Sequence, residues 1–336
     1  MAASPATLGV ETQHGLQTAA RTLPAEAQEA AQAEPEATDQ FLYLIGHPPM
    51  RPFLHYVSGH HPNPPGEASL TDAWSAAQKV VQALEREEAG IADDPPIGKL
   101  GPEYEPLLRA LLKDPLVRNG FNTVPTEVAM VELDRTVVYQ ERIDVTFARR
   151  LAQKLGSAPT GAELFRICLP YDHPQPPVKW TRVHHDKFVF QSPSNDLRFL
   201  GPMPMEPAHI VKEYPPPGSL VGVVGIAVGF GSNFMNAIYA GKRLILNNGS
   251  HRAYALRRMG VTHVPCIIQH TSSRDELDAV ADTQVQRRPE LYLERARPPM
   301  LKDYFNPQLH YLMPVRRRLR QVTVRFEVEE DYVPAF

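Results

Sequence analysis

The chain has 336 residues, of which 43% are hydrophobic and 22% charged, and its formal net charge is -3 at pH 7. This composition supports a folded core and gives the chain no general attraction to nucleic acid or to an anionic membrane. Cys168 and Cys266 each lie in an apolar run, which predicts buried thiols in a reducing compartment and no disulfide framework. No signal-peptide pattern follows Met1 and no stretch is typical of a membrane span, so we expect a cytoplasmic protein without a membrane partner.

The first third of the chain predicts a tail and then helices. Residues 1–38 are rich in Ala, Glu, Gln, Thr and Pro and predict a disordered tail, because they contain few large apolar side chains. Residues 39–120 predict a small helical N-terminal region that opens with a strand or turn and a short helix in Phe41–Val57. Helical periodicity covers Leu70–Glu88, and Glu103–Leu112 predicts a second helix.

The middle of the chain, residues 121–290, predicts an α+β core with a proline-rich insertion at about 157–217. Val128–Gly156 predicts a strand, a turn, and a helix from about Val145 that Gly156 ends. Inside the insertion, the pattern of Phe188–Gly201 predicts a hairpin.

Three further elements are expected before the C-terminal extension, residues 291–336. Val223–Phe230 predicts a buried strand, Met235–Asn248 a hairpin that turns at Ala240–Lys242, and Val264–Gln269 a closing strand. In the extension, the basic run near Arg316–Arg320 predicts a solvated helix end with acidic partners, followed by an alternating strand.

The loop within "NNGSHRAYALRRMG", which begins at Asn247, carries the clearest chemical signal. Ser250 is a suitable N-cap, and Gly249 allows a sharp turn and a close approach to a ligand. The first amides of the helix and Arg252 together suit a phosphate or carboxylate, and His251 could donate to the same anion or transfer a proton. The alternative is structural: Ser250 caps a surface helix and Arg252 pairs with a local carboxylate.

The segment "LILNNGSHRAYALRRMGVTHVPCIIQ" resembles the second conserved box of the ParB/sulfiredoxin-like superfamily (ParB N-terminal domain-like). In that family a strand leads to a Gly-x-x-Arg loop, a helix and a second strand, and the loop binds nucleoside triphosphates. Its members include CTP-binding partition proteins and ATP-using sulfiredoxins. The resemblance implies a mixed sheet with helices and a phosphate-binding loop at Gly249, Ser250, His251 and Arg252, with Arg252 as the phosphate ligand.

The earlier segment "LDRTVVYQERIDVTFARRLAQKLG" resembles the first box of the same superfamily more loosely. The resemblance implies that Gln140, Arg142 and Asp144 border the same pocket and that Glu141 lies nearby.

Two departures from the family pattern change the expected chemistry. Ser250 stands where sulfiredoxin has its nucleophilic cysteine, which disfavours reduction of a sulfinic acid. Asn248 stands where many members carry an acid, which disfavours kinase and nuclease activity. With its long insertion, the chain would be a divergent member.

Three other patterns are interpreted as structural. Gly229–Asn233 predicts a turn between strands, because it lacks the third glycine of a dinucleotide fingerprint. His184, His185 and Asp186 predict a loop or an edge position, since adjacent strand residues point to opposite faces and do not share one metal easily. His173 lies in a proline-rich loop and has no partner evident from the sequence.

The sequence thus predicts a nucleotide-binding protein for ATP or CTP, with no metal site formed by the protein itself. The candidate binding residues are Gln140, Arg142, Asn248, Gly249, Ser250, His251 and Arg252. Mg²⁺ is expected to accompany the triphosphate. If the chain is an enzyme, phosphoryl transfer to an unknown acceptor is the expected reaction class, with His251, Glu141 and Asp144 as catalytic candidates. The alternative is a non-catalytic nucleotide-sensing module, or one that binds a protein partner or DNA.

Overall fold

The protein belongs to the α+β class, and a computed structural model describes residues 38–47, 49–173, 175–205, 218 and 221–334. The strands are β1 (Thr38–Leu44), β2 (Ile97–Gly98), β3 (Thr126–Glu132), β4 (Val137–Val138), β5 (Arg142–Asp144), β6 (Lys179–His184), β7 (Lys187–Ser192), β8 (Leu197–Met205), β9 (Val223–Phe230), β10 (Asn236–Ala240), β11 (Arg243–Asn248), β12 (His263–His270), β13 (His310–Arg316) and β14 (Arg320–Arg325). The α-helices are α1 (Met50–His60), α2 (Glu67–Glu87), α3 (Glu105–Leu111), α4 (Pro115–Gly120), α5 (Val145–Leu155), α6 (Gly161–Cys168), α7 (Ser250–Arg258), α8 (Arg274–Val280), α9 (Thr283–Arg287) and α10 (Pro289–Leu293). Apart from Thr38, which begins β1, the predicted tail lies outside the described residues.

The largest sheet has six strands in the order β2-β3-β12-β10-β11-β4. β10 runs parallel to β12 and β11 runs parallel to β4, and the remaining neighbours are antiparallel. The predicted hairpin is confirmed as β10 and β11, with positive φ angles of 52° at Gly241 and 66° at Lys242. Two successive left-handed residues match the twist of the flanking strands, which explains why this turn was recognisable. The predicted closing strand is confirmed as β12.

A second sheet pairs β1, the first described strand, with β13 near the C-terminus. Its order is β13-β1-β5, with Phe41 opposite Met313 and Leu42 opposite Ile143. The predicted strand and short helix in Phe41–Val57 are confirmed as β1 and α1. One hydrophobic core contains buried side chains from Leu42 to Val315, so the N-terminal helices and the C-terminal strand β13 share it.

The predicted helices of the first box and of the N-terminal region are confirmed. Helix α5 begins at Val145, and Gly156 follows its last residue with a φ of +71°. Asp144 caps the helix because its Oδ1 accepts a hydrogen bond from the Phe147 amide at 2.8 Å. Helix α2 buries the predicted apolar stripe, of which Trp74 and Val81 are members.

The hairpin predicted over Phe188–Gly201 is wrong. Strand β7 lies between β6 and β14, whereas β8 pairs with β9 in a separate two-stranded sheet. β14 lies far away in the sequence and takes the edge of β7 that a hairpin partner would have used. The strand predicted over Val223–Phe230 is confirmed as β9, but its predicted burial is wrong, because Val224 is 71% exposed.

The predicted helix end in the C-terminal basic run is also wrong. Residues 317–319 connect strand β13 to strand β14. Arg317 forms two hydrogen bonds with the carboxylate of Asp39, at 2.8 and 3.0 Å, and Arg318 donates to the carbonyl of Gly59 at 2.9 Å. Both partners lie in the N-terminal part of the described chain. The guanidinium groups therefore have hydrogen-bond acceptors although the run forms no helix.

Both cysteine thiols are buried and free, as predicted. Burial raises the pKa of Cys168 to about 12. The helices formed by the described residues do not combine the length and apolar character needed to cross a membrane.

A buried ion pair fixes the segment that follows α10. Both guanidinium Nη atoms of Arg297 donate to the carboxylate of Asp303, and the two side chains are only 1% and 2% exposed. Asp303 also accepts the Met300 amide at 2.8 Å, and Arg297 donates to Glu88, just after α2, at 3.2 Å. The pair therefore ties the C-terminal part of the chain to helix α2.

We expect Asp303→Ala to lower the free energy of unfolding by about 3–5 kcal/mol, because it leaves the Arg297 charge buried without its carboxylate. Asp278→Ala is the matched control: Asp278 pairs with Arg274 at 2.9 Å, but both side chains are more than 40% exposed. Its loss should cost about 1 kcal/mol or less. Urea unfolding of the two variants measures the difference, and equal losses would contradict a structural role for the buried pair.

Candidate functional site

The predicted phosphate loop joins β11 to α7 through a left-handed glycine. Gly249 is the N-cap residue, with a φ of +101°, and Ser250 is the first residue of the helix. The prediction that Ser250 is the N-cap is therefore wrong. The N-cap position is left-handed and favours glycine. Ser250 is the first residue of the helix, and it is buried. Among the described residues, no side chain caps the amides of the first turn.

The two asparagines before Gly249 hold the loop in place. The Nδ2 of Asn248 donates to the carbonyls of Phe234 and Ser232 at 2.9 and 3.1 Å. The carbonyl of Asn247 accepts a hydrogen bond from the Tyr139 hydroxyl at 2.6 Å. Asn248 thus anchors the segment that precedes β10.

Arg252 is buried and contacts backbone carbonyls. Its side chain is 8% exposed, and Nη1 donates to the carbonyls of Asn233, Ile167 and Cys168 at 2.7, 3.0 and 3.2 Å. Ile167 and Cys168 are the last residues of α6, where the free carbonyls form the negative end of the helix dipole. Burial lowers the pKa of Arg252 from its usual value.

The other terminal nitrogen of Arg252 is left without a partner. Nη2 is buried and forms no hydrogen bond with the described residues. A Cβ atom placed on Gly249 would lie 3.4 Å from this nitrogen, so Nη2 lies against the left-handed turn. No carboxylate of the described residues forms an ion pair with Arg252, contrary to the structural alternative considered from the sequence. The loop therefore holds a buried cation that donates to carbonyls but forms no ion pair with a carboxylate of the described residues. The charge of Asp196 acts on it without such a contact.

His251 is held in its neutral form. Burial, and then the charges of Arg142 and Arg252, lower its pKa to about 4. Its ring lies edge-on to Phe147 of α5, with centroids 6.0 Å apart. At neutral pH the imidazole can therefore donate or accept a hydrogen bond, but it adds no positive charge.

The two stretches that resemble the family boxes lie against each other. Helix α7 packs on helix α5 and also contacts strand β5. The Arg142 guanidinium lies 4.6 Å from the centre of the Tyr56 ring, and its charge acts on His251. The Gln140 side chain is less available to a ligand, because its Nε2 donates to the Arg142 carbonyl at 3.3 Å.

The two candidate carboxylates already have partners. The Oε2 of Glu141 accepts a hydrogen bond from the Tyr43 hydroxyl at 2.6 Å. Asp144 caps α5 as described, and burial raises its pKa above the usual value. Each group therefore has a structural role in the folded chain.

Several residues that shape the loop were not found from the sequence. Met235 lies closest to the turn, since a Cβ on Gly249 would be 3.1 Å from its Cγ. Asn233 supplies the shortest hydrogen bond of Arg252, and Tyr304 donates its hydroxyl proton to the Gln140 carbonyl. These contacts join distant parts of the chain or use backbone atoms, and neither leaves a local sequence signal.

The remaining histidine candidates are structural. His184 is the last residue of the edge strand β6, and His185 and Asp186 lie in the turn between β6 and β7, as predicted. The partner of His173, which was not evident from the sequence, is Asp114, whose Oδ2 lies 2.6 Å from the His173 Nε2. In the described parts of the chain, no group of three or more His, Cys, Asp or Glu side chains is arranged to hold a metal ion.

A cavity of about 700 Å³ lies beside helix α10. It is lined by Pro49, Arg288, Glu290, Leu291, Glu294 and Arg295. None of the residues predicted from the two boxes lines it.

Comparison with known proteins gives no match to a family model, to a curated protein or to a solved structure. The functional interpretation therefore depends on the geometry of the Gly249 loop.

We expect the free energy of unfolding to rise with pH between about 4 and 6.5, because His251 then binds a proton only in the unfolded chain. The pKa difference corresponds to at most about 3 kcal/mol. Replacement His251→Gln should flatten this dependence, whereas the exposed His55→Gln controls for the loss of a histidine. Urea unfolding across this pH range measures the slope, and an unchanged slope in His251→Gln would show that the imidazole is not the group responsible.

Proposed function

We propose that the chain binds a nucleoside triphosphate, ATP or CTP, through a divergent ParB/sulfiredoxin-like core. The observation that carries this proposal is the free Nη2 of the buried Arg252 beside the uncapped first turn of α7. A buried cation without a carboxylate is costly, and an anionic ligand would offset that cost. Phosphate oxygens are suitable acceptors, because the helix dipole and the first amides favour negative charge at the same place.

Arg252 can hold the fold and bind phosphate at the same time. Its Nη1 holds three backbone carbonyls, which fixes the plane of the guanidinium. Its Nη2 keeps two protons for an acceptor. Strand β5, which contacts α7, carries Arg142 as a second cation, and a triphosphate needs several such charges. Gly249, Ser250 and His251 supply the first-turn backbone, and Asn248 and Gln140 hold the surrounding segments.

Mg²⁺ would reach this site with the nucleotide. Glu141 and Asp144 are engaged in hydrogen bonds, and the amide of Asn248 donates to backbone carbonyls. The protein residues therefore do not form a ligand set of their own, and the metal would be held by phosphate oxygens and water.

The same hydrogen bonds favour nucleotide sensing without catalysis over phosphoryl transfer. Transfer to an acceptor is the second candidate, and the raised pKa of Asp144 is the observation that favours it. A carboxylate with a raised pKa is a better general base at neutral pH. In that case His251, which is neutral, would contribute hydrogen bonding to the phosphates or to the acceptor.

We expect MgATP or MgCTP to raise the melting temperature of the wild-type chain. At a ligand concentration of about 100 times Kd the stabilisation is about 2.7 kcal/mol, which corresponds to a shift of several degrees. Arg142→Ala and Arg252→Lys should reduce the shift, because each removes a guanidinium from the loop. Differential scanning fluorimetry with ATP, CTP, GTP and ADP measures it, with each shift referred to the ligand-free variant.

Arg258→Ala is the matched control, since Arg258 is exposed at the opposite end of α7. It should keep the wild-type shift. Absence of a shift with every nucleotide, or a full shift in both loop variants, would contradict the proposal.

Asp144→Asn separates catalysis from binding. Asparagine caps a helix about as well as aspartate, so α5 should stay intact while the carboxylate is lost. If phosphoryl transfer occurs, formation of ADP from ATP should fall by about 100-fold or more in the variant, as expected for loss of a general base. If the chain senses nucleotide without catalysis, neither protein forms ADP and both keep the same thermal shift. Equal, measurable turnover in the two proteins would exclude Asp144 as the base.

A further inference from the structure

The sheet of β14, β7 and β6 carries aromatic side chains in register on one face. Trp180 lies opposite Phe190, which lies opposite Val322, and the next row contains Arg182, Phe188 and Val324. Directly opposed residues of antiparallel strands project to the same side, as do residues two apart along one strand. These six residues are called the aromatic face below.

The aromatic face is partly open to solvent. Trp180 is 64% exposed, whereas the other tryptophan, Trp74, is 8% exposed. The Phe188, Phe190, Val322 and Val324 side chains are half-buried. The exposed ring of Phe326 continues the face beyond β14, where it stacks on Phe188 with centroids 6.3 Å apart. An exposed tryptophan beside partly exposed rings on one face indicates an interaction surface.

The charges of this sheet differ in sign from that of the whole chain. Its three strands contain five Lys or Arg residues and no Asp or Glu, although the chain has a net charge of -3. The basic residues are Lys179, Arg182, Lys187, Arg320 and Arg325. The Arg182 guanidinium lies 5.8 Å from the centre of the Phe188 ring, so a cation lies directly over the aromatic face. The partner that matches this surface combines flat rings with negative charge.

We propose that the aromatic face binds single-stranded nucleic acid. Bases stack on Trp180 and Phe190, and the basic side chains at both ends of the strands neutralise the phosphates. A duplex fits less well, because its bases are already stacked inside it. This activity is independent of the proposed nucleotide site, since the aromatic face shares no residue with the Gly249 loop.

An oligothymidylate of about 15 nucleotides tests the proposal, since that length spans one such site. Because Trp180 is exposed and Trp74 is buried, binding should quench the tryptophan emission of the full-length chain. Anisotropy of the fluorescein-labelled strand gives the affinity, which should fall as salt rises.

Trp180→Ala should weaken binding about tenfold or more, because it removes one stacking platform. Trp180→Phe should keep most of the affinity and lose most of the quenching, which separates stacking from folding defects. The double variant Lys187→Glu, Arg325→Glu should weaken binding and reduce its salt dependence. Leu312→Ala and Lys113→Glu are the matched controls, since both residues are exposed and lie outside this sheet.

Three outcomes would overturn the proposal. The first is unchanged affinity in Trp180→Ala. The second is equal affinity for a duplex of the same length, which would indicate attraction by charge alone. The third is binding to phosphatidylserine-containing vesicles without binding to the oligonucleotide, which would make the surface a membrane contact.

Discussion

The burial of the Arg252 guanidinium is the constraint on which the Gly249 loop depends. Moving an isolated charge out of water is costly unless hydrogen bonds compensate it. Three carbonyls do so through Nη1, and two of them form the C-terminal end of α6. This contact joins α6, the segment before β10 and α7 at one point. The plane of the guanidinium is therefore fixed by the fold, and Nη2 is directed at the turn.

The three carbonyls accept hydrogen bonds from Arg252, but they do not neutralise its charge. Carbonyl dipoles satisfy protons, but they do not cancel a net positive charge as a carboxylate does. Burial, and then the charges of Arg142 and Arg252, lower the pKa of His251, so its imidazole stays neutral at neutral pH. The candidate carboxylates, Asp144 and Glu141, take part in capping α5 and in a hydrogen bond with Tyr43. The loop consequently combines a cation that forms no ion pair within the described residues with few groups left for chemistry.

Local patterns explain which parts of the fold could be predicted. Helix α5 and its terminal glycine, and the β10–β11 hairpin, depend on neighbours a few residues apart, and the sequence contains those neighbours. One partner of β7 is β14, which lies more than a hundred residues away in the sequence. The pattern of Phe188–Gly201 therefore resembled a hairpin, although its two strands belong to different sheets. The candidate loop was located by its glycine and arginine, but the carbonyls that hold Arg252 lie up to 85 residues away and carry no side-chain signature.

Strands β8 and β9 connect the aromatic face to this loop. Arg320 of β14 donates to the Leu197 carbonyl at the start of β8, and Asn248 donates to Ser232, just after β9. The strands that carry the aromatic face are thus tied to the segment that Arg252 and Asn248 hold. The three strands of the aromatic face contain no Asp or Glu, and no carboxylate of the described residues forms an ion pair with Arg252. Both proposals therefore assign an anionic ligand to a place where the fold supplies basic side chains.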